Sequence, residues 1–435
     1  MAATYRTDCE GFHRRDFLRL GTGGLLGLGL ADLLRLEAHA KRPKPRKAGA
    51  VIMVWLAGGP ATIDMWDLKP EAPANVRGEF KPIDTSARGI RICEHLPKMA
   101  KVMDKCTLIR SVHHNVAAHG PGTVYLTTGN RPSPTMEYPA LGALANRLLT
   151  APPGVPAYVH FQSAQNPAAG AGYLGAAYNP FEVQEAAEGG RLKAPGVSLP
   201  KGFTLTDLKD RDKLVRRFDA SFKEFDKADL AASLDKFHQQ ALDILRSDKT
   251  KKAFDLDREP QSVRDGYGRD TFGQSALIAR RLIEAGVRFV TIGIGGWDTH
   301  GGNFRTLRFN LLPRLDQALA ALVADLDRRG LLDRTIVYCA GEFNRTPTIN
   351  SAAGRDHWAR SMAVLLAGGG LPRGTVYGST DREGAVPATD PCSPDDVSAT
   401  IFHCLGIEPN REVMTNSGRP IALFREGKVL GKLLG

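Results

Sequence analysis

The sequence predicts an α/β fold, a mostly parallel central sheet flanked by helices, and three observations carry that expectation. Six short apolar runs recur along the chain: "AVIMVWLAGGP", "CTLIRSV", "VPAYVHF", "VRFVTIGI", "TIVYCAG" and "MAVLLAGGG". Continuous apolar runs of this length closed by glycine read as strands buried on both faces, the mark of a parallel sheet. Between the fourth and fifth lies "FNLLPRLDQALAALVADLDRRG", where Leu315, Leu319, Leu322 and Leu326 share one helical face and Gly330 stops the pattern. Strand, helix, strand in that order is what crossover connections between parallel strands require.

Taken in chain order, the first segment stands apart. In "HRRDFLRLGTGGLLGLGLADLL" the adjacent Arg14 and Arg15 precede Phe17 and Leu18 and then a glycine- and leucine-rich run. It ends in "AHA", where Ala38 and Ala40 supply small side chains for a signal peptidase. The run is broken by Asp32 and too short for a membrane span of roughly 20 residues. Residues 1–40 therefore read as a twin-arginine export signal cleaved near Ala40. The mature protein is expected in the periplasm or outside the cell, with no stable membrane span after cleavage. Residues 41–48 read as a linker, and residues 49–435 as a single α/β domain. Within it, residues from about 205 to 285 repeat Leu and Phe every three or four positions among many charges. They are expected to form a helical insertion packed on the sheet, or a small lid, with the charges on a solvated face.

Composition narrows the partners. With 435 residues, 42% of them hydrophobic, the chain can bury one large core or two ordinary ones. The formal net charge of +11 is mild at this length, and "KRPKPRK" is the only basic run, which argues against nucleic acid as a partner. An anionic ligand is compatible with that charge. Of six cysteines, Cys9 lies in the signal. Cys93, Cys106, Cys339, Cys392 and Cys404 show no C-x-x-C spacing, so no thiolate zinc site is expected. Five thiols leave at least one unpaired within the chain, and the sequence leaves any pairing open. The glycines of "GTGGLLGLG" belong to the signal and make no dinucleotide loop.

Most of the Asp, Glu and His at expected strand ends fall in four segments, and in open α/β sheets that edge binds ligands. In "GGWDTHGGN", Asp298 and His300 alternate along an extended chain and so face one point. "CAGEFNRTP" places Glu342 one glycine beyond a strand, and "GRDHWARSMAVLLAGGG" places Asp356 and His357 just before another. Singly, each reads as a capping Asp or a hydrogen-bonded His; together, beside apolar runs, they suggest a divalent metal ion. Mixed oxygen and imidazole ligands suit Zn, Mn or Fe better than Ca or Mg. In "SVHHNVAAHGPGTVYLTTGNRP", His113 and His114 read as surface or structural residues. A Gly-Pro-Gly turn there presents His119 at a helix start, whose N–H groups favour an anion.

Across residues 48–410, "GGPATIDMWDLKP", "GGWDTHGGN", "GEFNRTP" and "GRDHW" resemble the exported family called domain of unknown function 1501. That family is in turn similar to the superfamily of alkaline phosphatases, sulfatases and cofactor-independent phosphoglycerate mutases. "LDQALAALVADLDRRGLLDRTIVYCAGEFNRTP" resembles the helix and strand leading to that superfamily's paired metal ligands, and "SPDDVSATIFHCLGIEP" resembles the sulfatase C-terminal helix. The resemblance implies an alkaline phosphatase-like domain. It sets Asp298 and His300 at the first metal position, Glu342 at the bridging acid and His357 at the ligand that completes the first site. The chain departs from the pattern in five places. Asp298 and His300 stand one residue apart where the usual gap is three, and Phe343 stands where a histidine is usual. Gly58 and Gly59 end the first strand in place of a metal-binding Asp, for which Asp64 or Asp67 in the following turn is the substitute. His119 takes the place of the Ser, Thr or modified Cys nucleophile, and Thr123 that of the sulfatase arginine.

From this comes the expectation of an exported, metal-dependent hydrolase of phosphate or sulfate esters. Asp298, His300, Glu342, Asp356, His357 and Asp64 are its candidate ligands, and His119 serves as acid, ligand or phosphoryl acceptor. Its partner would be a small anionic ester or a sulfated or phosphorylated glycan. The alternative is a non-catalytic protein of the same fold that binds a metal, an anion, a glycan or a partner.

Overall fold

All six apolar runs form strands in the computed structural model, which describes residues 48–161, 164, 169–183 and 247–435, plus the backbone of 186–188 and 191–193. The signal, the linker up to residue 47 and residues 205–246 of the helical segment lie outside the described residues. The strands are β1 Ala50–Leu56, β2 Cys106–Val112, β3 Tyr158–Phe161, β4 Phe181–Val183, β5 Phe289–Ile294, β6 Thr335–Ala340, β7 Met362–Ala367 and β8 Thr375–Tyr377. They make an eight-stranded sheet in the order β8-β2-β7-β6-β1-β5-β3-β4. Only β7 runs antiparallel to its neighbours, β6 and β2; every other pairing is parallel.

Continuous apolar runs follow from burial of both faces. On β1, Ala50, Ile52, Val54 and Leu56 enter one core layer, and Val51, Met53 and Trp55 enter the other. Five longer helices cover the two faces: α1 His119–Thr128, α2 Leu141–Leu148, α3 Thr271–Ala285, α4 Leu312–Arg328 and α5 Pro394–Cys404. Leu277 and Leu282 of α3 join Leu315, Leu319, Leu322 and Leu326 of α4 in the first layer. Tyr125 and Leu126 of α1, Leu141 and Leu144 of α2, and Ile401 and Phe402 of α5 fill the second. Gly330 does end the α4 segment in the left-handed region, at φ 66. Helix α5 starts with Pro394 in its first turn and a reciprocal capping box between Ser393 and Asp396.

Within the segment expected to be an insertion, Asp248–Phe254 and Gln261–Tyr267 are short helices, and α3 leads directly into β5 as a crossover helix. With Phe272, Leu277, Ile278 and Leu282 buried in the core, α3 belongs to the doubly wound body and cannot swing as a lid. Cys93, Cys106, Cys339 and Cys392 are buried, Cys404 is half-buried, and all five are free thiols. Among the described residues, no helix is long and apolar enough to cross a membrane.

The antiparallel strand matters for function. Parallel strands β1, β5 and β6 end at one edge of the sheet. Because β7 runs the other way, the residues that enter it sit at that same edge. The segment after β2 crosses there too and opens α1 with His119. Five distant chain segments therefore meet at one place.

Candidate metal centre

Beyond β5 burial alternates along the chain, with Trp297 and Thr299 buried and Asp298 and His300 exposed. Thr299 is pinned beneath by its hydroxyl, which donates to Asn303 Oδ1 at 2.7 Å. The exposed pair meets His357, held in a two-residue antiparallel ladder in which His357 pairs with Arg345 and Trp358 with Asn344. Asp298 Oδ1 lies 3.0 Å from His300 Nε2 and 3.3 Å from His357 Nε2, and Oδ2 lies 3.3 Å from His119 Nε2. The two Nε2 atoms of His300 and His357 are 3.0 Å apart. Donor atoms of His119, Asp298 and His357 all fall within 4.8 Å of one another, the spacing of a set that can share one ion.

The other face of each ring decides what those Nε2 atoms carry. His300 Nδ1 is 2.6 Å from Asp356 Oδ1, His119 Nδ1 is 2.6 Å from Glu342 Oε1, and His357 Nδ1 is 3.0 Å from the Ala117 carbonyl. Carboxylates and carbonyls only accept, so each Nδ1 holds the ring proton and donates. With its proton on Nδ1, a ring in the neutral form turns an Nε2 lone pair toward the Asp298 carboxylate. Lone pairs of two imidazoles and a carboxylate oxygen repel at about 3 Å unless a cation lies among them. An ion with bonds of about 2.1 Å spaces its ligand atoms about 3.0 Å apart in octahedral geometry and about 3.4 Å in tetrahedral geometry. The separations of 3.0–3.3 Å match that range, so the residues present fit a metal ion.

Electrostatics support the same assignment. Burial works to raise the Asp298 carboxyl, but the hydrogen bond and charge of Arg345 hold it below the usual carboxylate range. The hydrogen bond from His300 holds Asp356 low as well. The side chains of His119, Asp298 and His300 are 40%, 45% and 47% exposed, whereas Glu342 is 3% and Arg345 0% exposed. The centre is thus rooted in the core and open on one side, where a further ligand has room.

The candidate residues divide by task. Asp298, His300, His357 and His119 bring donor atoms together. Glu342 and Asp356 stand behind His119 and His300 as proton acceptors, the usual second layer around metal-bound imidazole. Glu342 also accepts the Gly58 N–H, at 2.9 Å to Oε1 and 3.2 Å to Oε2. Asp64, expected as a further ligand, is directed elsewhere. It is buried, with Arg355 bidentate on its two oxygens at 2.8 Å each and Asn303 Nδ2 donating to Oδ2 at 2.8 Å. Both oxygens are thus engaged by Arg355 and Asn303, away from the centre. Asp67 is engaged by Lys69 at 3.0 Å and by the Thr380 hydroxyl. His113 is exposed; His114 is buried and structural, its Nδ1 accepting from Val116 N at 3.2 Å and burial pushing its pKa down to about 4.

Three further residues shape the centre. Arg345 donates to the Gly58 and Gly59 carbonyls and to Asp298 Oδ1. Phe343 is buried, its ring 4.5 Å from that of His357 and 5.1 Å from that of His119, and it forms an apolar wall. Arg355, through Asp64, fixes the segment that carries Asp356 and His357. The only hint of these roles in the sequence is position: each lies within three residues of a candidate ligand.

Solved structures of similar chain trace include the alkaline phosphatase from the Antarctic bacterium TAB5 (11% identity, TM-score 0.38, covering 84% of this chain and 100% of that one). A sulfatase from Pseudoalteromonas sp. follows (12%, 0.38, 87% and 70%), with a lipoteichoic acid synthase from Listeria monocytogenes (10%, 0.37, 89% and 77%). No curated protein matches the chain. Residues 48–434 match the family described as "Protein of unknown function (DUF1501)", and the chain belongs to that family.

Proposed function

We propose that the chain is an exported, metal-dependent hydrolase of phosphate or sulfate esters. The observation behind this reading is the convergence of three Nε2 lone pairs on Asp298, each fixed by an acceptor at the opposite ring nitrogen. Asp298, His300, His357 and His119 would hold the ion, and their mixed oxygen and imidazole set favours Zn, Mn or Fe. When bound, such an ion makes water a usable nucleophile at neutral pH and polarises an ester oxygen.

The residues of the chain supply the rest. Asp356 and Glu342 hold two rings in the tautomer that leaves Nε2 basic. Arg345 keeps Asp298 ionised. Helix α1 points its positive end at the centre, beside His119, which favours an anionic group. Export rests on the twin arginines of residues 1–40, and an anionic ester, free or on a glycan, is the class of substrate that this charge pattern suits.

The test is metal content and turnover on a panel of phosphate and sulfate esters with purified protein, with His300→Ala alongside. The expected result is bound metal and hydrolysis in the parent and loss of both in the variant. Protein that holds no metal, and whose stability a chelator leaves unchanged, would sink the reading. A second reading keeps the metal and drops the chemistry. It is favoured by the start of α1, where His119, Gly120, Pro121 and Gly122 offer no hydroxyl or thiol nucleophile. Tightly held metal with no turnover on any ester would select it.

A further inference from the structure

A second positive charge is already built into the centre. The Arg345 side chain is wholly buried, and its guanidinium lies among four oxygen atoms. These are the carbonyls of Gly58, Gly59 at 2.7 Å and Arg355 at 3.3 Å, and Asp298 Oδ1 at 2.5 Å. Spread around the three guanidinium nitrogens, these carbonyl and carboxylate oxygens are of the kind that hard cations take as ligands. Asp298 Oδ1 is shared, because His300 and His357 approach the same oxygen from the other side.

No side chain can enter this cage from the first strand. Gly58 has φ 117, and a Cβ there would lie 2.5 Å from Asp298 N. Gly59 has φ 70, and a Cβ there would overlap the Phe343 ring. Glu342, the nearest buried carboxylate, is committed to His119 Nδ1 and Gly58 N. Arginine stays charged under all physiological conditions, so this cation cannot be lost or exchanged.

We infer that Arg345 replaces a second metal ion: the centre takes one ion, and the guanidinium is the permanent partner of the oxygen that ligates it. The inference rests on the metal-centre reading above. Arg345 acts through Asp298 and is a positioning residue, holding the carboxylate oriented before metal arrives.

The experiment loads the full chain with excess Mn(II), removes unbound ion, and reads Mn per chain by elemental analysis and coupling by electron paramagnetic resonance. The parent should hold a single Mn(II) with an uncoupled six-line spectrum, and Arg345→Lys, which keeps the charge, should do the same. Arg345→Ala empties the oxygen cage and should take up a second Mn(II), with added guanidinium ion returning it to one. Two ions or a spin-coupled signal in the parent overturns the inference while leaving the metal centre standing. Arg345→Ala that folds, holds one ion and ignores guanidinium also overturns it. A parent that retains no Mn(II) sinks the metal centre and this inference together.

Discussion

At the scale of single residues, a histidine ring has two nitrogens, and the partner of one sets the task of the other. Asp356 illustrates this. It lies at the surface, its oxygen 2.6 Å from His300 Nδ1, and contributes nothing to the core. Replacing it with Ala should leave the stability of metal-free protein nearly unchanged while weakening metal binding by roughly 10–100-fold, the usual cost of losing such a carboxylate. A titration of Zn(II) or Mn(II) against Asp356→Ala checks this, and unchanged affinity would show that the ring needs no second partner. The sequence could name Asp356, Glu342 and Asp64 as acids near strand ends but could not sort them. Whether a carboxylate meets a metal, a ring N–H or a guanidinium depends on which cation the fold brings beside it. For Asp64 that cation is Arg355, and for Asp298 it is Arg345. Arginines are rarely buried, so nothing in "EFNRTP" or "GRDHW" marks either as a core residue.

At the scale of elements, the centre depends on the segment that feeds β7. Arg355 is clamped between Asp64, the Val76 carbonyl at 2.8 Å and the Thr346 carbonyl at 3.0 Å, and its own N–H donates to Thr299 O at 3.1 Å. The clamp joins the turn after β1, the loop after β5 and the approach to His357. Asp64→Asn leaves a buried guanidinium short of its countercharge and should cost roughly 3–5 kcal/mol of stability. It should also weaken metal binding, although Asp64 touches no ligand. Denaturant unfolding and a metal titration on the same variant check both, and full stability in Asp64→Asn would rule out the clamp. Strand β3 carries a separate test. His160 is buried there with no hydrogen-bond partner on either ring nitrogen among the described residues, and burial pushes its pKa down from 6.5 to about 4. The unfolded chain takes up that proton near the higher value and the folded chain only near the lower one. No protonation penalty therefore applies above pH 6.5, and stability falls as the pH drops toward 4, by up to about 3 kcal/mol. His160→Leu should shrink the difference in melting temperature between pH 7 and pH 5, and an unchanged difference would mean that the ring is protonated or solvated in the fold. Strand positions were legible because glycine-bounded apolar runs have few other uses. The direction of β7 was not, since a continuous apolar run looks the same in either sense.

For the whole molecule, the sheet edge explains both what the sequence reveals and what it hides. Polar residues beside buried strands stand out, so Asp298, His300 and His357 are legible, whereas His119 is legible from its turn at a helix start. Their convergence on one ion is what the family resemblance implies; no local pattern encodes it, because it needs the strand order β7-β6-β1-β5 and the reversed β7. The same non-local assembly makes the centre a cross-link. Residues 119, 298 and 357 belong to the start of α1, the loop after β5 and the approach to β7, and one ion among them ties three chain segments that nothing covalent joins. An ion that binds only the folded chain stabilises it by about 2.7 kcal/mol when its free concentration is 100-fold above its dissociation constant. The melting temperature should therefore rise with added Zn(II) or Mn(II), continue rising with the logarithm of concentration, and fall after chelation. His300→Ala should abolish that dependence while its metal-free melting temperature stays near that of the metal-free parent, because the ring is nearly half exposed and contributes little packing. Equal metal-dependent shifts in parent and variant would place the bound ion somewhere other than this edge of the sheet.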